Sequence, residues 1–324
     1  MSNAIIFRSH GTPDVLSWEP QELPPPGRGE VQLRHTAIGV NFIDIYDRTG
    51  LYPRALPAGL GREAAGIVVA IGPGVRGLRL AQRVAYALPV PGAYSELRNV
   101  PAERLVKLPK AISDQQAAAV LLKGLTAQFL LRRTYSVRRG DFVLIHAAAG
   151  GVGSLLTQWA RALGARVMGV VGSEAKVAVA RRQGCHRVFV SGQDDIVQSV
   201  RDFTRNARAH VVYDSVGADT FMLSLDCLRP RGMLVSFGNA SGPPPAISPL
   251  ELMRRGSLYL TRPTLFDYTA QRSELESAAR ALFAMIRGGK LRVSIGQRYA
   301  LRAAAQAHRD LEARRTVGAT VLIP

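Results

Sequence analysis

The run Ala147-Ala148-Ala149-Gly150-Gly151-Val152-Gly153 stands directly behind an apolar, strand-like stretch, Phe142-Val143-Leu144-Ile145, and opens a helix-forming stretch that reaches Leu163. A strand that turns into a helix over so few small residues is half of a strand-helix-strand unit, and such a unit needs a parallel neighbour. The neighbours follow. Arg166 to Val171 reads as a strand, Glu174 to Gln183 as a helix, and Arg187-Val188-Phe189-Val190 as a strand. A helix near Asp195 to Thr204, a strand at Val211-Val212-Tyr213, a helix near Thr220 to Cys227 and a strand at 233–237 complete the series. Alternation of this kind with short connections specifies a parallel sheet covered on both faces, with right-handed crossovers.

The segments on either side have a different texture. Val31-Gln32-Leu33-Arg34, residues 66–71 and residues 83–87 are short β-rich runs between the turn clusters Pro24-Pro25-Pro26-Gly27, Gly72-Pro73-Gly74 and Pro89-Val90-Pro91-Gly92, as in an antiparallel or barrel-like domain. A short helix is expected at 42–49, and Ser113-Asp114-Gln115-Gln116 begins a capped helix that continues through Leu131. Past Pro263 come a long helix at 273–287, another from near Ala303 through Leu311, and a closing strand at 320–323. There is no internal repeat.

At 324 residues the chain fits two packed domains. Its 47% apolar and 20% charged content is that of an ordered globular protein. The charge is unusual: 42 Lys and Arg against 24 Asp and Glu give +18, and only five of the basic residues are Lys. That balance makes nucleic acid a partner to weigh. The basic residues are spread thinly, the longest local groups being pairs such as Arg132-Arg133 and Arg254-Arg255, with few aromatics between them, which favours a solvated Arg-rich surface over a dedicated nucleic-acid site. Two cysteines, Cys185 and Cys227, cannot make a disulfide framework or a structural zinc site. With no evident secretory signal at the amino terminus, they indicate a reducing compartment, and a cytoplasmic location is expected. The most apolar window, 142–160, is broken by His146, glycines and Gln158, so no membrane span is expected.

Read against G-x-G-x-x-G, the turn places Ala148, Gly150 and Gly153 at the three glycine positions. Gly150 would let the backbone approach a pyrophosphate, Gly153 would let helix and strand pack closely, and the helix amino terminus would offer N–H groups and a positive dipole. The alternative is a purely structural tight turn. An NAD site would carry Asp or Glu roughly 20 residues on. That position is occupied by Val171, followed by Gly172 and Ser173, with Lys176 one helical turn along. The missing carboxylate and the Ser173 and Lys176 donors suit the 2′-phosphate of NADPH, although Glu174 could instead swing back to a ribose.

The run 140–153, continuing through Gln158 to Arg161, resembles the quinone oxidoreductase and zeta-crystallin signature of the medium-chain dehydrogenase/reductase superfamily. The similarity extends to residues 39–44, 50–53, 59–66, 122–126, 213–217 and 236–239. It implies an α/β protein with a GroES-like β-rich catalytic domain at 1–123 and 264–324, a Rossmann doubly wound parallel-sheet domain at 124–263, a cofactor cleft at their junction, and a homodimer paired through sheet edges near 257–261. Where zinc-dependent relatives have a cysteine ligand this chain has Asn41, and where they have Gly-His-Glu it has Gly61-Arg62-Glu63. A guanidinium has no lone pair for a metal, and an amide is a poor substitute for thiolate. No metal is expected.

Without a Lewis acid to stabilise an alkoxide, quinones and conjugated carbonyls are the natural acceptors, because they spread incoming electron density over their own π-system. On the resemblance, Asn41, Asp44, Tyr46, Tyr52 and Arg262 are assigned to the substrate and nicotinamide side. Lys123, Thr126, Ala149, Gly150, Gly151, Val152, Gly153, Gly172, Ser173, Lys176, Ser191, Ser215, Phe237, Gly238 and Asn239 are assigned to NADPH. Each has an ordinary reading beside this one: Asn41 a turn, Asp44 a helix cap, the tyrosines packing, Arg262 one more surface cation. Relatives carry Tyr-Arg or a similar pair where this chain has Ser191-Gly192, so the aromatic wall beside the adenosine is lost, while Ser191 can still donate one hydrogen bond. His146 is read as structural. The expectation is an NADPH:quinone oxidoreductase; an alkenal or enone reductase, and a non-enzymatic RNA-binding or structural protein, are the alternatives.

Overall fold

The computed structural model describes residues 2–324. They divide into two compact units: one runs to Leu125 and takes in Thr269–Arg287 and Val293–Pro324, the other comprises Thr126–Tyr268 with Gly288–Arg292.

The second unit is built on six strands, numbered here within the unit: β1 (Phe142–Ile145), β2 (Arg166–Val171), β3 (Arg187–Val190), β4 (Ala209–Asp214), β5 (Leu228–Ser236) and β6 (Tyr259–Thr261). All are parallel, in the spatial order β3-β2-β1-β4-β5-β6. Leu144 of β1 pairs with Met168 on one side and Val212 on the other. Because helices cover both faces, the central strands carry Val, Leu and Ile at successive positions rather than alternately. Leu144, Met168, Val170, Phe189, Val212 and Leu234 form the centre of this core. Strand order reverses between β1 and β4, and open sheets of this kind bind ligands beyond the carboxyl ends of the strands at such a point.

Its helices follow local chemistry. Ile196–Thr204 is capped by Asp195, whose carboxylate accepts the Gln198 N–H at 2.9 Å. The helix expected over 174–183 is divided: Glu174–Lys176 is a 3₁₀ turn and the α-helix is Val177–Gln183. The Lys176 N–H bonds to the Ser173 carbonyl at 3.0 Å, tightening the first turn. Pro249–Arg254, capped by Ser248, is a helix that periodicity did not reveal, since none of its residues is buried.

The first unit has a seven-stranded, mostly antiparallel sheet. Its long strand, Glu30–Val40, pairs with Glu63–Ile71 along one side; along the other, Val31 opposes Val100 and Val40 opposes Thr320. The last strand, Ala319–Ile323, is thereby seated beside the first half of the chain. Phe7, Leu33, Ile38, Leu60, Tyr86 and Tyr94 fill the interior. The amino-terminal strand Ser2–Phe7 and its partner Ser17–Gln21, together with Ile295–Ala300, were not legible as strands. No helix among the described residues is long and apolar enough to cross a membrane.

Candidate active site

In the second unit the glycine-rich turn sits at the carboxyl end of β1. Ala147 takes a left-handed conformation, φ 51°, and the helix Gly151–Ala162 starts with Gly150 as its cap. The two inner glycines have different reasons to be glycine. A Cβ on Gly153 would lie 2.1 Å from the Ala147 carbonyl oxygen, so this position is closed by the protein's own backbone. At Gly150 the nearest atom is that same oxygen at 3.1 Å, with the next at 3.9 Å. The space over Gly150 is therefore open on the outer side, and Gly150, Gly151 and Val152 are all partly exposed. A backbone corner left bare ahead of a 12-residue helix fits a pyrophosphate.

The predicted cofactor residues from Ala149 to Asn239 lie at the same edge of the sheet. Ala149 is in the turn itself. Gly172, Ser173 and Lys176 follow β2, with Gly172 exposed, nothing within 4 Å of a Cβ placed there, and no carboxylate at Val171. Ser191 follows β3, is exposed, and gives its N–H to the Val171 carbonyl at 2.8 Å. Ser215 follows β4, and Phe237, Gly238 and Asn239 follow β5. Gly238 lies so close that a Cβ would stand 2.4 Å from the Ser215 oxygen. Arg262, just past β6, donates from Nη1 to the Gly238 carbonyl at 3.3 Å.

Beneath this edge is a polar network that sequence reasoning passed over. Asp214, fully buried, accepts from the Val216 N–H at 2.8 Å and from the hydroxyls of Thr220 and Ser224. The Ser224 hydroxyl also meets His146 Nε2 at 2.9 Å. Burial lowers the pKa of His146, and the buried ring ties the end of β1 to the helix Phe221–Asp226 through Ser224. Its structural role agrees with its place in the sequence.

In the first unit Asn41 caps the helix Phe42–Thr49, and the Asp44 side chain accepts the Asn41 N–H at 2.9 Å, completing a capping box. The Asn41 amide donates from Nδ2 to Glu63 Oε2 at 3.0 Å. The same carboxylate takes Lys123 Nζ at 3.3 Å on Oε2 and the Leu122 N–H at 2.6 Å on Oε1. Lys123 lies in the helix Asp114–Phe129, as does Thr126, and both are nearly buried. Glu63, standing in the quoted Gly61-Arg62-Glu63 segment, is thus the residue that gathers this cluster. Tyr46 and Tyr52 meet edge to face, ring centres 5.4 Å apart, and the Tyr52 N–H bonds to the Tyr46 carbonyl.

Asp44 departs from its expected place on the substrate side. It is fully buried; Oδ2 accepts from Asn41 and from the Tyr94 hydroxyl at 3.0 Å, while Oδ1 has no partner. Burial pushes its pKa up to about 7. It acts through helix Phe42–Thr49 as a cap, because its neighbours enclose it before any solute reaches it.

The positions corresponding to zinc ligands in relatives do not fit a metal. Asn41 is turned to Glu63 as a donor, and Arg62 clasps buried Asp47 with Nε at 3.0 Å and Nη2 at 2.9 Å. Lys123 brings a positive charge to Glu63. Among the described residues no three His, Cys, Asp or Glu side chains are grouped to hold an ion.

A six-stranded parallel sheet with an open phosphate turn, preceded by a β-rich unit, defines a two-domain dehydrogenase/reductase. The sequence matches the alcohol dehydrogenase GroES-like domain over residues 27–110 and the zinc-binding dehydrogenase family over 151–283. It is 49% identical to a quinone oxidoreductase of Pseudomonas aeruginosa, covering 100% of both chains. It is 45% identical to a 2-haloacrylate reductase of Burkholderia sp, covering 100% of this chain and 99% of that one. Among solved structures, Escherichia coli quinone oxidoreductase complexed with NADPH aligns with a TM-score of 0.98 at 46% identity, covering 99% of this chain and 100% of that one. The chain belongs to the quinone oxidoreductases of the medium-chain dehydrogenase/reductase superfamily.

Proposed function

We propose that this protein is a zinc-independent NADPH:quinone oxidoreductase. The observation that carries the reading is its likeness, over the whole length, to a quinone oxidoreductase solved with NADPH. The residues present fit that cofactor: Gly150 leaves the pyrophosphate corner open, and the end of β2 offers Ser173 and Lys176 in place of a ribose-binding carboxylate. When bound, the nicotinamide supplies the reducing equivalents. The backbone N–H groups of 150–153 hold the diphosphate, and Ser173 and Lys176 hold the 2′-phosphate. Asn41, Tyr46 and Tyr52 position the acceptor, the tyrosines through ring faces and phenolic donors. Glu63 fixes the Asn41 amide and the Lys123 ammonium, and Arg262 is oriented by the Gly238 carbonyl. With no donor set for a Lewis acid, the acceptor has to delocalise its own charge, as quinones do.

A conjugated-alkene reductase is the second reading, favoured by the likeness to the 2-haloacrylate reductase. NADPH oxidation measured with 1,4-benzoquinone, 9,10-phenanthrenequinone and a panel of enones and 2-haloacrylate separates the two. Turnover of quinones at a higher kcat/KM than any alkene supports the first; the reverse order replaces it with the second, and failure to oxidise NADPH with either rejects both.

We further read the protein as a cytoplasmic homodimer. The end strand β6 exposes Tyr259 at 58% and Leu260 at 38%, a sheet edge suited to pairing with a second copy.

A further inference from the structure

We infer that the first unit carries a second binding site, for a medium-chain carboxylate or an anion of the same amphipathic form. A cavity of about 1210 Å³ opens between the segments 28–30, 74–78 and 101–109 and the helix Arg272–Arg287. It is large enough for a drug-sized or fatty-acid-sized molecule. None of the residues assigned to NADPH or quinone lines it.

Its chemistry is divided in two. The floor is apolar: Val75 and Leu78 pack against the interior of the first unit, and Phe283 is only 5% exposed. The rim is cationic. Arg28, Arg76, Lys107, Arg280 and Arg287 are all exposed around it. Three carboxylates, Glu30, Glu103 and Glu276, share the lining. Glu276 is engaged by Arg272 at 2.7 Å, with Arg280 at 3.9 Å, and Glu30 accepts the Gly27 N–H at 3.0 Å. Among the described residues Arg28, Arg76, Lys107 and Arg287 form no side-chain hydrogen bond or ion pair.

Unpaired guanidinium groups above an apolar floor match a ligand that is hydrocarbon at one end and carboxylate at the other. The floor removes the hydrocarbon from water, and Arg binds a carboxylate bidentately. A cationic amphiphile meets the wrong rim, and a polyphosphate gains nothing from the floor. Part of the chain's large excess of arginine thereby acquires a specific use.

Calorimetric titration of the whole protein with dodecanoate below its micellar concentration tests this, with dodecyltrimethylammonium as the charge-reversed probe. One dodecanoate per chain should bind saturably and the ammonium compound should not. Arg76→Glu with Arg280→Glu should weaken dodecanoate at least about tenfold, since each removes a charge-assisted contact. Ala284→Trp, at an exposed lining position outside the core, should weaken it similarly by filling space. Both variants should oxidise NADPH as the parent does, and saturating NADPH should leave dodecanoate affinity unchanged. Absence of saturable binding, equal binding of the cation, or undiminished binding in both variants overturns the inference. So does displacement by NADPH, which would place dodecanoate in the nucleotide site while leaving the quinone reductase reading intact.

Discussion

Glu63 Oε2 receives the Lys123 ammonium at 3.3 Å, with the Glu63 side chain fully buried and that of Lys123 only 6% exposed. Removing one member of a buried pair strands the other, which typically costs about 3–5 kcal/mol. Lys123→Met should therefore lower the unfolding free energy by roughly that amount in urea. Glu63→Gln on that background keeps an acceptor for the Leu122 N–H and should restore much of the loss. If the two single changes simply add, the pair is not coupled.

The glycine turn separates folding from coenzyme binding. Gly153→Ala drives a methyl into the Ala147 carbonyl and should destabilise the second unit by about 1–3 kcal/mol. Gly150→Val meets one close neighbour, the Ala147 oxygen at 3.1 Å from a Cβ, so it should cost less stability than Gly153→Ala while NADPH binding is lost. Fluorescence titration of Gly150→Val with NADPH checks this, and an unchanged Kd would remove the turn from the site.

Lys176 should discriminate between coenzymes. Lys176→Ala deletes a charge-assisted bond to the 2′-phosphate and should raise the KM for NADPH by about 10- to 100-fold. The KM for NADH, which has no such phosphate, should move little. Equal effects on the two would assign Lys176 to the helix rather than to the ligand.

Asp44 links stability to pH. Its native pKa lies at about 7 against an ordinary 3.8, because burial disfavours the charged carboxylate. Between those values the native state holds a proton that the unfolded state has released. Stability from this group is therefore full below about pH 4 and falls as pH rises toward 7. Asp44→Asn keeps an acceptor for Asn41 and Tyr94 without the charge. Relative to the parent it should gain stability across that window, on the order of 4 kcal/mol in total. Denaturant melts at pH 4.5, 6 and 7.5 should show the difference growing; a constant difference would mean that Asp44 is ionised throughout.

What could be read in advance was whatever rests on near neighbours in the chain. The strand, glycine turn and helix of 142–163 were legible because their requirements are local, such as Gly153 against the Ala147 oxygen six residues earlier. The same holds for the cap at 41–44 and for the runs of Val, Leu and Ile in β1, β2 and β4. The division of helix 174–183 was missed because a 3₁₀ turn and a helical turn share their letters. The strand Ser2–Phe7 was missed because its partner Ser17–Gln21 is largely exposed and shows little apolar alternation.

The amino-acid order alone determined a nucleotide-type parallel sheet with a glycine turn behind its first strand, since both depend on residue type and short spacing. Only the tertiary structure decided that Glu63 would hold Lys123, 60 residues away, and that Tyr94 would stand between Asp44 and His308, the latter 214 residues away. The energies of those groups depend on how much water the folded sheets exclude, and that is a property of distant segments packed together rather than of any stretch read by itself.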